Sequence, residues 1–182
     1  MNNFAACAAA IAALVLAAPA QASQQMYLYV EGAAQGDMTG DVTVQGRESS
    51  IEVIAWSHEI VSPRDAATGR ATSRIQTKPL VITKPIDRSS PLLMQALVNN
   101  ENLREVRLIF VDRDKQTGAP RDYYRIELSN AAIIGIAQEG TVGERDIEKI
   151  SFSYAQMTQT HVETGRETAV SNLTLTPLKG IK

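Results

Sequence analysis

The sequence predicts a mainly β protein, an antiparallel β-barrel with one short flanking α-helix. Three observations predict it. Apolar and polar residues alternate with period two along most of the chain after residue 22. A polar, Gly- and Pro-containing stretch, "DRDKQTGAPRD" (112–122), joins two such runs as a hairpin loop does. One segment alone, residues 87–101, changes to helical spacing. A series of antiparallel strands points to a barrel or a sandwich, and the lone helix favours a barrel with the helix laid against it.

The chain opens on an apolar run of 14 residues, Ala5 to Ala18, followed by Pro19 and the small-x-small triplet Ala20-Gln21-Ala22. That run is short for a bilayer span and suits the apolar core of a signal peptide, although "MNNF" ahead of it has no Lys or Arg. The expectation is a cleaved leader over 1–22 and a single barrel domain over 23–182, with no stable membrane insertion. Met26, where the first strand-like run begins, is the alternative start. Cleavage after Ala22 implies a secreted or periplasmic protein; a start at Met26 implies a cytoplasmic one before secretion.

Met26, Leu28 and Val30 share one face of the first strand, opposite Tyr27 and Tyr29. "GAAQGDMTGD" (32–41) reads as a flexible small-residue connector, its glycines spaced by four and not as a nucleotide-binding G-x-G-x-x-G. In "SSIEVIAWSHEI" (49–60), Ile51, Val53 and Ala55 oppose Glu52, Ile54 and Trp56, which suggests a strand covered on both sides. "SPRDAATGRATSRIQT" (62–77) is a polar loop of 16 residues, long enough to be functional or mobile, and the better candidate for a contact surface.

The helix is expected with Ser90 as N-cap, Pro91 at its first position, i,i+4 pairs Leu92/Ala96, Leu93/Leu97 and Met94/Val98, and an end near Asn99-Asn100. Beyond it, Val106, Leu108 and Phe110 line one face of a strand over 104–114. Residues 122–139 read as a strand, a bend near Ser129-Asn130 and a second strand, with Tyr124, Ile126 and Leu128 facing in. Residues 146–164 repeat the pattern through Ile150, Phe152 and Tyr154.

Composition excludes more than it selects. A hydrophobic content of 44% with 21% charged residues is that of a globular protein, and a net charge of −2 leaves no electrostatic footprint for nucleic acid or an acidic membrane. The one cysteine, Cys7, lies in the leader, so the processed chain has no disulfide, thiol nucleophile or thiolate metal site. His58 and His161 have no second ligand or catalytic partner at useful spacing. Asp112 and Asp114 begin like a calcium loop, but Thr117 and Tyr123 stand where Gly and Glu are needed. Glu101, Arg104, Glu105 and Arg107 read as a solvated or interfacial face. No catalytic, metal or cofactor site emerges, and an enzyme is the least supported reading.

The block "KPLVITKPIDRSSPLLMQALVNNENLREVRLIF" resembles the haemolysin-coregulated protein (Hcp) family, tube-forming subunits of bacterial type VI secretion. The family couples a strand ending I-x-K-x-x-D (Ile82, Lys84, Asp87) to a helix opened by S-P-x-L (Ser90, Pro91, Leu93) and then to the strand of Val106, Leu108 and Phe110. "MYLYVEG", "IEVIAWSHEI", "YYRIELSNAAIIGI" and "EKISFSYAQM" follow the family order, so the resemblance spans about Met26 to Gly165. It implies a structural and not an enzymatic protein: hexameric rings stacked into a hollow tube, small effectors in the lumen, and a spike protein as partner. It also places the 62–77 loop at contacts between subunits and rings, with Arg64, Asp65, Arg70 and Arg74 as candidate contact residues. The leader motivates an alternative, a periplasmic binding or adaptor protein that keeps the fold but has left the tube.

Overall fold

The computed structural model describes residues 24–171; the leader expected over 1–22 and its expected cleavage after Ala22 lie outside them. In chain order the elements are β1 (Gln25–Gly32), β2 (Gly36–Asp37), β3 (Ile51–Val53), β4 (Ala55–Ser57), β5 (Ile60–Val61), β6 (Gln76–Thr77), β7 (Leu80–Pro85), α1 (Ser90–Val98), β8 (Asn102–Arg113), β9 (Pro120–Glu139), β10 (Ile147–His161) and β11 (Arg166–Ser171). All pairings are antiparallel. The main sheet runs β1-β8-β9-β10-β7-β4, and β3 pairs back to β1, so residues 51–57 carry the circuit of strands round to its start.

The period-two pattern decides what is buried. Leu28, Val30, Val106, Leu108, Phe110, Ile126, Leu128, Ile150, Phe152 and Tyr154 all point into one apolar core. Each large side chain so enclosed contributes about 1.5–3 kcal/mol. Long strands β9 and β10 form the spine: β10 exchanges β7 for β11 as its second neighbour between Phe152 and Gln156. The bend expected near Ser129-Asn130 occurs inside one continuous strand, where Asn130 takes φ +51°. On the outer surface of β1 and β8, Tyr27, Ile109 and Val111 form a second small cluster, with Tyr29 and Val42 packed against it.

Four expectations are corrected. The 49–60 segment is not covered on both sides: Ile54 is 48% exposed. The chain breaks at Ile54 between β3 and β4, and Trp56 then pairs with core-facing Ile82. A one-residue offset exchanges the two faces of a strand, so Ala55 turns outward and Trp56 stacks edge-on against Phe110 at 5.3 Å. The 32–41 stretch is no flexible connector; it holds the β1–β2 turn, and its Met38 is 2% exposed.

The 62–77 loop is a hairpin, with Ile60 opposite Thr77, Val61 opposite Gln76 and Arg64 opposite Ala71. Finally, the helix N-cap is Ser89 and not Ser90, with Pro91 still in the first turn. The Ser90 hydroxyl is drawn away from a capping role by a cluster of buried charges beneath the helix start.

Residues 38–50 are held close by backbone bonds such as Gly40 N–H to Ser49 C=O at 2.8 Å. A Cβ on Gly40 would lie 2.4 Å from the Ser50 carbonyl oxygen and 2.7 Å from the Ile51 Cα, backbone atoms that cannot swing aside. Gly40→Ala is therefore expected to cost about 1–3 kcal/mol, read as a lowered urea midpoint at unchanged slope.

Candidate functional site

Two features stand apart from an ordinary barrel: a charge cluster sealed in the core and a hairpin that leaves it. The cluster assembles where β7 ends, α1 begins and β10 passes beneath. Lys84 is wholly buried, and its Nζ donates to the Pro85 carbonyl at 2.7 Å, to Asp87 Oδ1 at 2.8 Å and to Glu148 Oε1 at 2.8 Å. Ser90 donates to the same Glu148 oxygen at 2.7 Å, and Gln138 donates to the other at 3.0 Å. The Asp87 N–H donates to Ser90 Oγ at 3.1 Å, and Asp87 Oδ1 accepts the Ser89 N–H at 2.9 Å. Every charge is thus met by hydrogen bonds, the condition under which a buried ion pair persists.

Burial alone would lift the Glu148 and Asp87 carboxyls, but hydrogen bonds from Lys84 and the neighbouring polar groups outweigh it and hold both below the usual range. With no solvent-accessible surface on Lys84 or Glu148, the cluster is walled off from any ligand. Its role is positional.

At the other end of α1, Asn100 at φ +50° turns the chain out of the helix and delivers Glu101. Glu101, read from the sequence as part of a solvated or interfacial face, is only 7% exposed. Its Oε1 accepts the Ala34 and Gln35 N–H groups at 2.7 and 2.9 Å, pinning the β1–β2 turn to the helix end. The backbone hydrogen bond from Gln35 does most to hold its pKa low. A side chain at Gly32 would collide with that carboxylate. Arg104 and Arg107 do lie on the surface, paired with Glu31 at 3.2 Å and Glu105 at 3.1 Å.

The hairpin spans 59–78 and is exposed along almost all of its length. Its tip is a turn in which Asp65 Oδ1 accepts the Ala67 N–H, the Thr68 N–H and the Thr68 hydroxyl, with Gly69 at φ +67°. Asp114, Thr117 and Gly118 build the same turn between β8 and β9. The shared D-x-x-T-G is the sequence signal that 62–77 is a hairpin; strands two residues long leave no periodic one.

Of the candidate contact residues, Arg64, Asp65 and Arg70 are brought together at the tip, and Arg74 follows on the returning strand. Arg64 donates to the Gly69 carbonyl at 3.1 Å, and the Asp65 N–H donates to the Arg70 carbonyl at 2.9 Å. Asp65 is committed to its own turn, and hydrogen bonding to Thr68 lowers its pKa. Among the described residues Arg70 and Arg74 have no ion pair, whereas Glu59 is matched to Lys78 at 2.6 Å. The arm therefore presents arginines, flanked at its root by Ile60 and Val61, 38% and 37% exposed.

The histidines part company. His161 Nδ1 meets the Thr164 hydroxyl at 3.1 Å on an exposed turn, while His58 Nε2 meets the buried Tyr154 hydroxyl at 2.7 Å at the root of the arm. Among the described residues no three His, Cys, Asp or Glu side chains are grouped to hold a metal.

The fold and site define a small mainly β barrel with a charge cluster sealed in an apolar core and an exposed two-stranded arm. The comparisons narrow that class. Residues 27–161 match the family described as "Type VI secretion system effector, Hcp". The "Major exported protein" of Pseudomonas aeruginosa PAO1 is 32% identical over 145 residues, 76% of this chain and 84% of that one. Hcp1 of Escherichia coli EAEC 042 superposes with a TM-score of 0.74 at 26% identity, over 81% of this chain and 97% of that one. Secreted protein Hcp3 of Pseudomonas aeruginosa gives 0.69 at 27%, over 82% and 98%. The chain belongs to the Hcp family of type VI secretion.

Removing Lys84 while leaving its partners strands two carboxylates in the core. Lys84→Met is expected to cost about 3–5 kcal/mol. Folding lowers the Asp87 and Glu148 pKa values, so both stabilise the wild type above the ordinary carboxylate pKa of about 4 and lose that contribution as pH falls below it. Without the ammonium those pKa values rise, so the stability deficit of Lys84→Met, read by urea unfolding followed by circular dichroism, should be largest near neutral pH and shrink as pH falls through the carboxylate range.

Proposed function

We propose that this chain is the structural subunit of a type VI secretion tube, exported with the tube it builds. Copies associate side by side into hexameric rings, the rings stack, and the lumen carries small effectors behind a spike protein. The observation that carries this reading is the arm. A two-stranded hairpin is marginally stable in water by itself, yet residues 59–78 project from the barrel with Ile60, Val61 and three arginines outward. Docked on the next copy, the same residues bury apolar surface at the root and meet carboxylates at the tip.

The polar outer face supports lateral packing as well. Across β1, β8 and β9, Tyr29 lies opposite Arg107 and Arg107 opposite Glu127, with the Arg107 guanidinium 5.1 Å from the Tyr29 ring centre. Such alternating charges discourage uncontrolled edge or face pairing and favour a partner with the complementary order. Closure of a head-to-tail contact gives a ring.

Light scattering coupled to size exclusion should give a hexamer for the full chain, and electron microscopy should show rings and short stacks. Deleting residues 64–74, or charge reversal by Arg70→Glu with Arg74→Glu, should leave the barrel folded and abolish stacking. A chain that stays monomeric at high concentration contradicts the tube. Stacks unaffected by the deletion contradict the role assigned to the arm.

A further inference from the structure

The root of the arm is tied to the barrel by a chain of polar contacts. Tyr154 belongs to core strand β10 and is 5% exposed. Its hydroxyl meets His58 Nε2 at 2.7 Å and hydrogen-bonds the Thr77 side chain. His58 lies just before the outgoing strand β5, Thr77 closes the returning strand β6, and His58 also hydrogen-bonds the Lys78 backbone. Both roots of the hairpin therefore converge on one buried phenol.

We propose that His58 and Tyr154 are positioning residues that latch the arm to the barrel, and that protonation of His58 opens the latch. The inference rests on the reading of the arm as the docking element. In the closed state the Tyr154 hydroxyl accepts from Thr77 and donates to the unprotonated Nε2 of His58. A protonated imidazole donates from both ring nitrogens, so the Tyr154 oxygen must accept from Nε2, its own buried hydrogen loses the partner it had, and the link between the two roots is weakened.

The direction of the response follows from the surroundings. Burial lowers the His58 pKa, and the hydrogen bond to the Lys78 backbone offsets part of that effect. The charged side chains beside it, Glu59 and Lys78, neutralise one another at 2.6 Å, and Tyr154 faces it as a neutral phenol. The neutral ring therefore prevails at neutral pH, and the latch opens only as pH falls below the ordinary histidine pKa of about 6.5. Mild acid is expected to free the arm while the barrel stays folded, since the core carboxylates titrate lower still.

Hydrogen exchange of the full chain, read by mass spectrometry over residues 59–78 and corrected for the intrinsic effect of pH, tests this. In the wild type, opening of the arm should rise about two- to ten-fold between neutral pH and mild acid, the worth of one hydrogen bond, with β8 and β9 unchanged. Tyr154→Phe should show the raised exchange already at neutral pH and no further step in acid. His58→Gln, altering a half-buried side chain that the barrel does not need, should likewise lose the step even if Tyr154→Phe fails to fold. A wild type without the step, or a His58→Gln variant that retains it, overturns the latch. Ring formation is followed separately by light scattering, so a monomeric chain that still shows the step contradicts the tube and leaves the latch standing.

Discussion

The structure depends on keeping one ammonium group dry. Lys84 is wholly buried on the same face of β7 as the core residues Leu80 and Ile82, where an isolated charge costs several kcal/mol even after relaxation. The cost is met because Asp87, Ser90, Pro85 and Glu148 surround the group with acceptors at 2.7–3.2 Å. Those acceptors come from the end of β7, the turn into α1 and the neighbouring strand β10, where Glu148 lies directly opposite Lys84. The cluster thus fixes where the helix starts, and the 9 residues of α1 carry that placement to Asn100 and Glu101. Glu101 in turn catches the backbone of the β1–β2 turn. One buried charge and one buried carboxylate, at opposite ends of a short helix, register the helix on the sheet and the first hairpin on the helix.

That arrangement accounts for what is legible in the sequence. Strand faces can be read because one face is core and the other water: Leu28, Leu108, Ile126 and Phe152 fall where alternation puts them. The helix can be read because Pro91 and the i,i+4 pairs have a local cause. Lys84, Asp87 and Ser90 belong to a recognisable motif, but their purpose stays hidden because Glu148 lies 64 residues away and only the fold brings it there. Ser90 passes for a cap for the same reason, its hydroxyl serving a distant carboxylate and not the helix end. The break at Ile54 is illegible too, since alternation continues through it and only the exchange of partners from β1 to β7 reveals the change of face.

The perturbed carboxylates Asp87, Glu101 and Glu148 are all engaged in backbone and core contacts, so their low pKa values report structure. The arm carries Arg70 and Arg74, which have no ion pair among the described residues, beside the partly exposed Ile60 and Val61. In the proposed tube such an element gains order from a neighbouring copy of the same chain. The His58–Tyr154 contact stands at the junction of the two regimes, with the phenol in the core and the imidazole at the hinge.

Whether a second subunit completes the arm is read most directly from a cryo-electron microscopy map of the assembled full chain. If it does, residues 59–78 will be well ordered, with Ile60 and Val61 covered and Arg70 or Arg74 within ion-pairing distance of carboxylates on a neighbouring copy. Rings in which the arm points into solvent, touching no other subunit, would contradict it.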